Sequence, residues 1–355
     1  MKKIVSVFLA FYMVLSLAAC GGSSNDASKK NSENAVANNE STLPSDEIYN
    51  WDFFFSLPQT YTRNEGLLAF VDNIKERTDG RVNISVYSAG ELPYTGTEAI
   101  DICAAGTVQM SDANTANIAG SSKTGSICTY PFLASDWASF HKMMDTITPY
   151  FSEEMSARGI HVLFFMPDSL QYMFGMGNSL ESWKDMKGRS MRGQNSYMQE
   201  FASLVGSNSV SITSNEIATA ISKGVIDSFV TSSMTTESSA YYEFIDWANT
   251  TPFSCNGSFI MVNQNAWDSL PEEYRKIIEE EGEALTKNYW DTFIPEEDKK
   301  ALNIIEENDT IINEVDEALS VEGRKLIEEC YTAWADEAGG AAPETLKAIY
   351  ETLGY

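Results

Sequence analysis

The sequence predicts an α/β protein folded in two lobes. Apolar residues at alternating spacing recur between runs at helical spacing, and the same rhythm restarts near residue 161. About 310 residues follow the N-terminal segment, more than one hydrophobic core usually accommodates.

The elements follow in order. Ile48 to Leu57 is short and aromatic-rich and reads as a strand. Leu67, Leu68, Phe70, Val71 and Ile74 recur at helical spacing until Asp79-Gly80 stops the helix. Val82, Ile84 and Val86 alternate with polar neighbours, as in a strand with one buried face. Residues 95–114 read as a helix, a break at Gly106, and a short strand running into a polar loop. The second series opens with the strand His161 to Asp168, followed by a short strand at Ser190 to Arg192 and an amphipathic helix that Gly206 ends. Residues 209–232 give strand, helix and strand. Ser214 is expected to cap that helix, with Glu216 in its first turn and Gly224 as its stop. Phe259 to Val262 is another strand, and Pro271 opens a helix whose Glu272 and Glu273 suit its positive N-terminal end. The rest is helical and charged, with charge runs on solvated faces and no internal repeat.

The N-terminus is set apart. Lys2 and Lys3 precede an apolar run from Ile4 to Leu17, too short for a membrane span, which needs about 20 residues, but suited to a secretory signal peptide over 1–19. It ends in Leu17-Ala18-Ala19-Cys20, similar to the lipobox of bacterial lipoproteins, which makes Cys20 the lipidation site. Residues 20–46 are rich in Ser, Asn, Ala and Gly without hydrophobic period, as in a flexible tether. The expected location is extracytoplasmic, with the body held to the cell membrane through lipid.

The chain carries 51 acidic and 24 basic residues, a net charge of −27. That balance argues against nucleic acid, which rewards basic patches. It permits an anionic ligand if the anion site is built locally. Cys103, Cys128, Cys255 and Cys330 are widely spaced and read as buried single thiols, with nothing in the spacing to pair them. The only histidines are His141 and His161. Neither lies in a nucleophile turn or a zinc motif, and there is no phosphate-cradling loop. No enzyme is predicted, and no metal or cofactor is called for. The cations of "KGRSMRGQN" stand out in so acidic a chain. Lys187 and Arg189 read as solvent-facing charge. Arg192, at a strand end, is open between a structural ion pair and a ligand contact.

The order of motifs resembles the DctP-type solute receptors of TRAP (tripartite ATP-independent periplasmic) transporters, over roughly residues 48 to 340. The resemblance is carried by "FVDNIKERTDGRVNISVYSAGELPYTGTEAIDICAAGTVQM", "YPFLASD", "DMKGRSMR", "SNEIATAISKGVID" and "AWDSLPEEYRKII". It implies a bilobal, periplasmic-binding-protein-like flytrap: two mixed-sheet α/β lobes with a long helix behind both. The lobes would comprise 47–169 with 258–297 and 170–257 with 298–355. It implies a monomeric receptor that binds a small organic acid anion, a carboxylate or a sulfonate, and hands it to TRAP permease subunits in the membrane. Service to an ATP-driven importer, or to a signalling protein as a ligand-sensing partner, are the alternatives.

The family's ligand-binding Arg falls on Arg192 through the Asp-Met-Lys-Gly-x-x-x-Arg match. Less specific matches place Ser56 or Gln59, Asn114, Thr231, and Phe253 to Asn256 at the ligand. A second Arg that some acid-binding members carry is replaced here by Tyr172, beside Gln171 and near Phe174. The resemblance thus implies one anion anchor in an aromatic surround, suited to a monoanion with an apolar portion.

Overall fold

The computed structural model describes residues 47–59 and 61–355; the expected signal peptide, Cys20 and the expected tether to residue 46 lie outside the described residues. In chain order the strands are β1 (Tyr49–Phe54), β2 (Val82–Tyr87), β3 (Met110–Asn114), β4 (Ile160–Pro167), β5 (Gln171–Gly175), β6 (Ser190–Arg192), β7 (Asn208–Val210), β8 (Ser228–Ser232), β9 (Trp247–Ser254), β10 (Gly257–Asn263) and β11 (Ile311–Asn313). They form two mixed sheets. The first runs β2-β1-β3-β10-β4, with β1 parallel to β2 and β3, and β10 antiparallel to β3 and β4. The second runs β11-β9-β5-β8-β6-β7, with β6 parallel to β7 and β8, and β5 antiparallel to β8 and β9.

The chain passes from sheet to sheet at two short strand-to-strand connections, Asp168 to Leu170 and Cys255 to Asn256. The two are tied together, since the Asp168 N–H donates to the Asn256 carbonyl at 3.0 Å. A long helix makes a third passage. It runs Glu272–Asn288, widens to a π turn over Tyr289–Phe293, and continues Ile294–Glu307. Pro295 explains the wide turn: it has no N–H to give, and its ring crowds the preceding turn, so the hydrogen-bonding register slips there. The first half of this helix packs on the helix Asn64–Arg77 and on β4, and the second half on the helix Ser233–Ser238. At the turn, Tyr289 donates to the Arg63 carbonyl at 2.5 Å, and the Trp290 carbonyl accepts from Trp137 at 2.9 Å.

One core lies between the first sheet and the long helix, around Trp51, Phe53, Phe70, Phe164, Ile260 and Ile278. A larger one fills the second lobe and continues along the helix Trp137–Ser156, with Phe140, Phe174, Phe201, Phe229, Trp247 and Phe253. The expected helix stop at Asp79-Gly80 has both residues at positive φ, 50° and 71°, where a short polar side chain or none is least strained. Three cysteines, Cys103, Cys128 and Cys255, are buried free thiols, and Cys330 is a half-buried one. Burial pushes Cys103 and Cys128 up to about 12 and Cys255 well above its ordinary value, so these thiols are poor nucleophiles. Among the described residues no helix is long and apolar enough to cross a membrane.

Candidate functional site

A cleft of about 360 Å³ opens between the sheets and is lined from both. Ser56 lies just past β1, Asn114 closes β3, Asp168 follows β4, Arg192 closes β6, and Thr231 lies near the end of β8. The carboxyl ends of parallel strands are where α/β sheets present ligands: the strands fix the positions, and the loops beyond them supply the chemistry.

Arg192 is 3% exposed. Its Nε donates to the Ile212 carbonyl at 3.2 Å, Nη1 to the Val230 carbonyl at 3.1 Å, and Nη2 to Ser214 Oγ at 3.3 Å. Burial pulls it down to about 10, with only the Tyr241 phenol opposing. Among the described residues no carboxylate stands at ion-pairing distance from it. A guanidinium has five N–H donors. Three are engaged, so each terminal nitrogen keeps one N–H for an acceptor. A buried cation without a countercharge is an unfavourable arrangement that a bound anion relieves.

Ser214 is where the local expectation fails. Thr213, not Ser214, caps the turn, with the Glu216 carboxylate returning to the Thr213 N–H at 2.8 Å. The Ser214 hydroxyl is thereby left to Arg192, and its carbonyl accepts from Tyr241 at 2.6 Å.

The other wall is a buried polar network. The Asp112 carboxylate accepts from the Ser56 N–H at 2.6 Å, from Ser56 Oγ at 2.8 Å and from Ser258 Oγ at 3.0 Å. Burial still holds it above the usual carboxylate range. Arg63 is fully buried. Its Nη2 donates to Ser258 Oγ at 3.0 Å, and its Nη1 lies 3.9 Å from Asp168 Oδ2. Tyr61 donates to Asp168 Oδ1 at 2.7 Å and lies 3.5 Å from the hydroxyls of Ser232 and Thr235 on the opposite wall.

Of the residues singled out in the sequence, Arg192, Asn114, Ser56, Gln171, Thr231 and Asn256 line the cleft. Three do not. Gln59 lies in a separate small pocket with Phe55, Asn64 and Glu91. Tyr172 follows Gln171 on β5, so strand alternation turns it to the opposite face, where its hydroxyl donates to Asp298 at 3.0 Å. Phe253 on β9 likewise faces the helices, with Phe132, Phe201 and Trp183 around it. The expected aromatic surround is therefore corrected: Phe174 and Phe229 stack on each other in the core, and among the described residues only Tyr61 and Tyr241 bring aromatic rings to a lining dominated by amides and hydroxyls. Arg189 is not simple surface charge either. It lies over the Trp247 ring at 5.8 Å and donates to the Asn178 carbonyl at 2.8 Å, whereas Lys187 is exposed. Sequence reading missed Tyr61, Arg63, Asp112, Asp168, Gln194 and Tyr241. The one available signal was the charge of Asp168 at the end of an apolar strand.

Behind the cleft, Asp298 of the long helix accepts from Tyr172 and from Ser233 Oγ. Burial, with some repulsion from Asp168, raises it to about 6 against the hydrogen bonds that favour its charged form. The folded chain therefore holds this proton more tightly than the unfolded chain does. The resulting stability is complete below about pH 4 and is lost as pH rises through about 6. Asp298→Asn, which mimics the protonated form, is expected to be more stable than the parent at pH 8 by up to about 3 kcal/mol. In urea unfolding at several pH values that gap should close by pH 4; a gap independent of pH contradicts the assignment.

The family model described as bacterial extracellular solute-binding protein, family 7, matches residues 55–337. The C4-dicarboxylate-binding periplasmic protein of Rhodobacter capsulatus is 25% identical over 291 residues, covering 81% of this chain and 86% of that protein. Two crystal structures share the fold. One is an extracytoplasmic solute receptor of Bordetella pertussis binding pyroglutamic acid, with TM-score 0.77 and 21% identity, covering 85% of this chain and 99% of that one. The other is a TRAP periplasmic solute-binding protein of Chromohalobacter salexigens with bound D-glucuronate, with TM-score 0.76 and 20% identity, covering 86% of this chain and 99% of that one.

Proposed function

The chain belongs to the bacterial extracellular solute-binding proteins of family 7, the DctP-type receptors of TRAP transporters, and from that premise we propose that Arg192 holds the carboxylate of a small organic acid in the interlobe cleft. Family members are extracytoplasmic receptors, not enzymes, and deliver their solute to a membrane permease. The observation that carries the acid reading is the buried Arg192 guanidinium, which has carbonyl and hydroxyl acceptors around it but no countercharge. The relatives named above bind a dicarboxylate, pyroglutamate and glucuronate, which share a carboxylate and little else.

The lobes divide at 169/170, 257/258 and 297/298, so that the two strand crossings and the long helix act as the hinge. Tyr61 of one lobe and Ser232 and Thr235 of the other meet when the lobes close. Cys20, lipidated after removal of residues 1–19, holds the tether to the membrane, and the body works as a monomer beside TRAP permease subunits. Thermal shift with a panel of organic acids and their neutral primary amides tests the ligand class. At least one acid raises the melting temperature and its amide does not. An amide that stabilises as well as its acid contradicts the reading.

A further inference from the structure

Asp168 stands on the floor of the cleft, in the first strand crossing, held in place by the bond from its N–H to the Asn256 carbonyl. Its Oδ1 accepts two hydrogen bonds, from the Tyr61 hydroxyl at 2.7 Å and from the Ser169 N–H at 2.9 Å. Its Oδ2 faces Arg63 Nη1 at 3.9 Å, an ion pair too long for a hydrogen bond. That oxygen keeps acceptor capacity on a carboxylate that lines the cleft.

A second acceptor lies nearby, on Gln194. Gln194 Nε2 donates to Gln171 Oε1 at 2.7 Å, while Gln171 Nε2 donates to the Ser169 carbonyl at 2.8 Å. The chain of bonds sets the amide orientations and leaves Gln194 Oε1 buried without a protein donor. Gln194 also lines the cleft. The cleft therefore offers one cation, at Arg192, and one carboxylate with unfilled acceptor capacity, at Asp168, whereas Gln194 Oε1 is sealed from the cleft. Buried acceptors that a ligand leaves unfilled cost binding energy, so a site of this kind discriminates strongly against an analogue lacking the donor.

We propose that the ligand is an acid carrying, apart from its carboxylate, an O–H or N–H donor that Asp168 receives, and that Asp168 is the residue selecting for it. This rests on the Arg192 anchor proposed above. The test is calorimetry on the full chain with two matched pairs of acids. Pyroglutamate is compared with its lactone, 5-oxotetrahydrofuran-2-carboxylate, in which a ring oxygen replaces the N–H. D-Glucuronate is compared with tetrahydropyran-2-carboxylate, the same ring without hydroxyls.

In at least one pair the donor-bearing acid is expected to bind about tenfold or more tightly than its partner. Asp168→Asn is expected to reduce that ratio to about threefold or less. Partners that bind equally to the unsubstituted chain overturn the proposal without reference to any variant, and so does a ratio that Asp168→Asn leaves unchanged. Arg192→Gln separates the two claims: it should weaken both members of a pair together. Undiminished binding there overturns the anchor, while the pair ratio still decides on Asp168. Absence of binding by all four acids overturns both.

Discussion

Replacing Arg192 by glutamine is expected to weaken binding of the cognate acid by about a hundredfold or more, with little change in the stability of the unliganded chain. Two charge-assisted hydrogen bonds from the guanidinium to a carboxylate contribute about 1.5–3 kcal/mol each in a site shielded from water, and Gln can supply neither the charge nor the paired geometry. The unliganded chain responds differently because two effects oppose each other. The substitution removes donors from the Ile212 and Val230 carbonyls and from Ser214 Oγ, which destabilises. It also removes a buried charge that no carboxylate balances, which stabilises. Affinity measured by calorimetry should therefore fall while the denaturation midpoint without ligand stays close to that of the parent. Loss of both together would make Arg192 a structural residue.

Phe132→Ala is expected to have the largest effect on stability, about 3–5 kcal/mol in chemical denaturation. Phe132 is fully buried, and its ring centroid lies 5.0–5.2 Å from those of Trp183, Phe201 and Phe253. Its N–H donates to the Phe253 carbonyl at 2.7 Å, which fastens the segment before the helix Trp137–Ser156 onto β9 of the second sheet. Room for the ring comes from Gly323 on the helix Glu317–Ala338, where any Cβ would collide with it. Phe132 also has φ of 62°, an unfavourable conformation for any residue with a Cβ. Packing must therefore outweigh backbone strain at this position. Phe132→Gly should be no less stable than Phe132→Ala, contrary to the usual advantage of Ala of about 0.5–1 kcal/mol. A markedly less stable Gly variant would show that the backbone relaxes once the ring is gone.

Much of the architecture was legible because it follows from local periodicity. The helix over Leu67 to Ile74 and the strand at Val82 declare themselves by spacing alone, and the helix after Pro271 by its first-turn residues. The reach of that helix behind both lobes was implied by the family resemblance and not by its own residues: packing against both lobes carries it through a π turn at Pro295 to Glu307. Strands β5 and β9 are buried along their whole length, so they lack the polar alternation that marks a half-buried strand.

The site divides in the same way. Arg192 was legible from its motif and its place at a strand end. The misplacements of Tyr172 and Phe253 are errors of facing: a position next to the cleft in sequence points away from it in a strand. The network of Arg63, Asp112, Asp168 and Ser258 was invisible because its members come from four distant segments. Nothing local tells which of 51 acidic residues will be buried beside which cation.

The most direct test of the central claim is the crystal structure of the full chain with its cognate acid, either co-purified or supplied after the thermal-shift panel has found it. The expected result is a carboxylate in the cleft with its oxygens on Arg192 Nη1 and Nη2. A ligand seated in the cleft with its carboxylate elsewhere, or with no carboxylate at all, would contradict it.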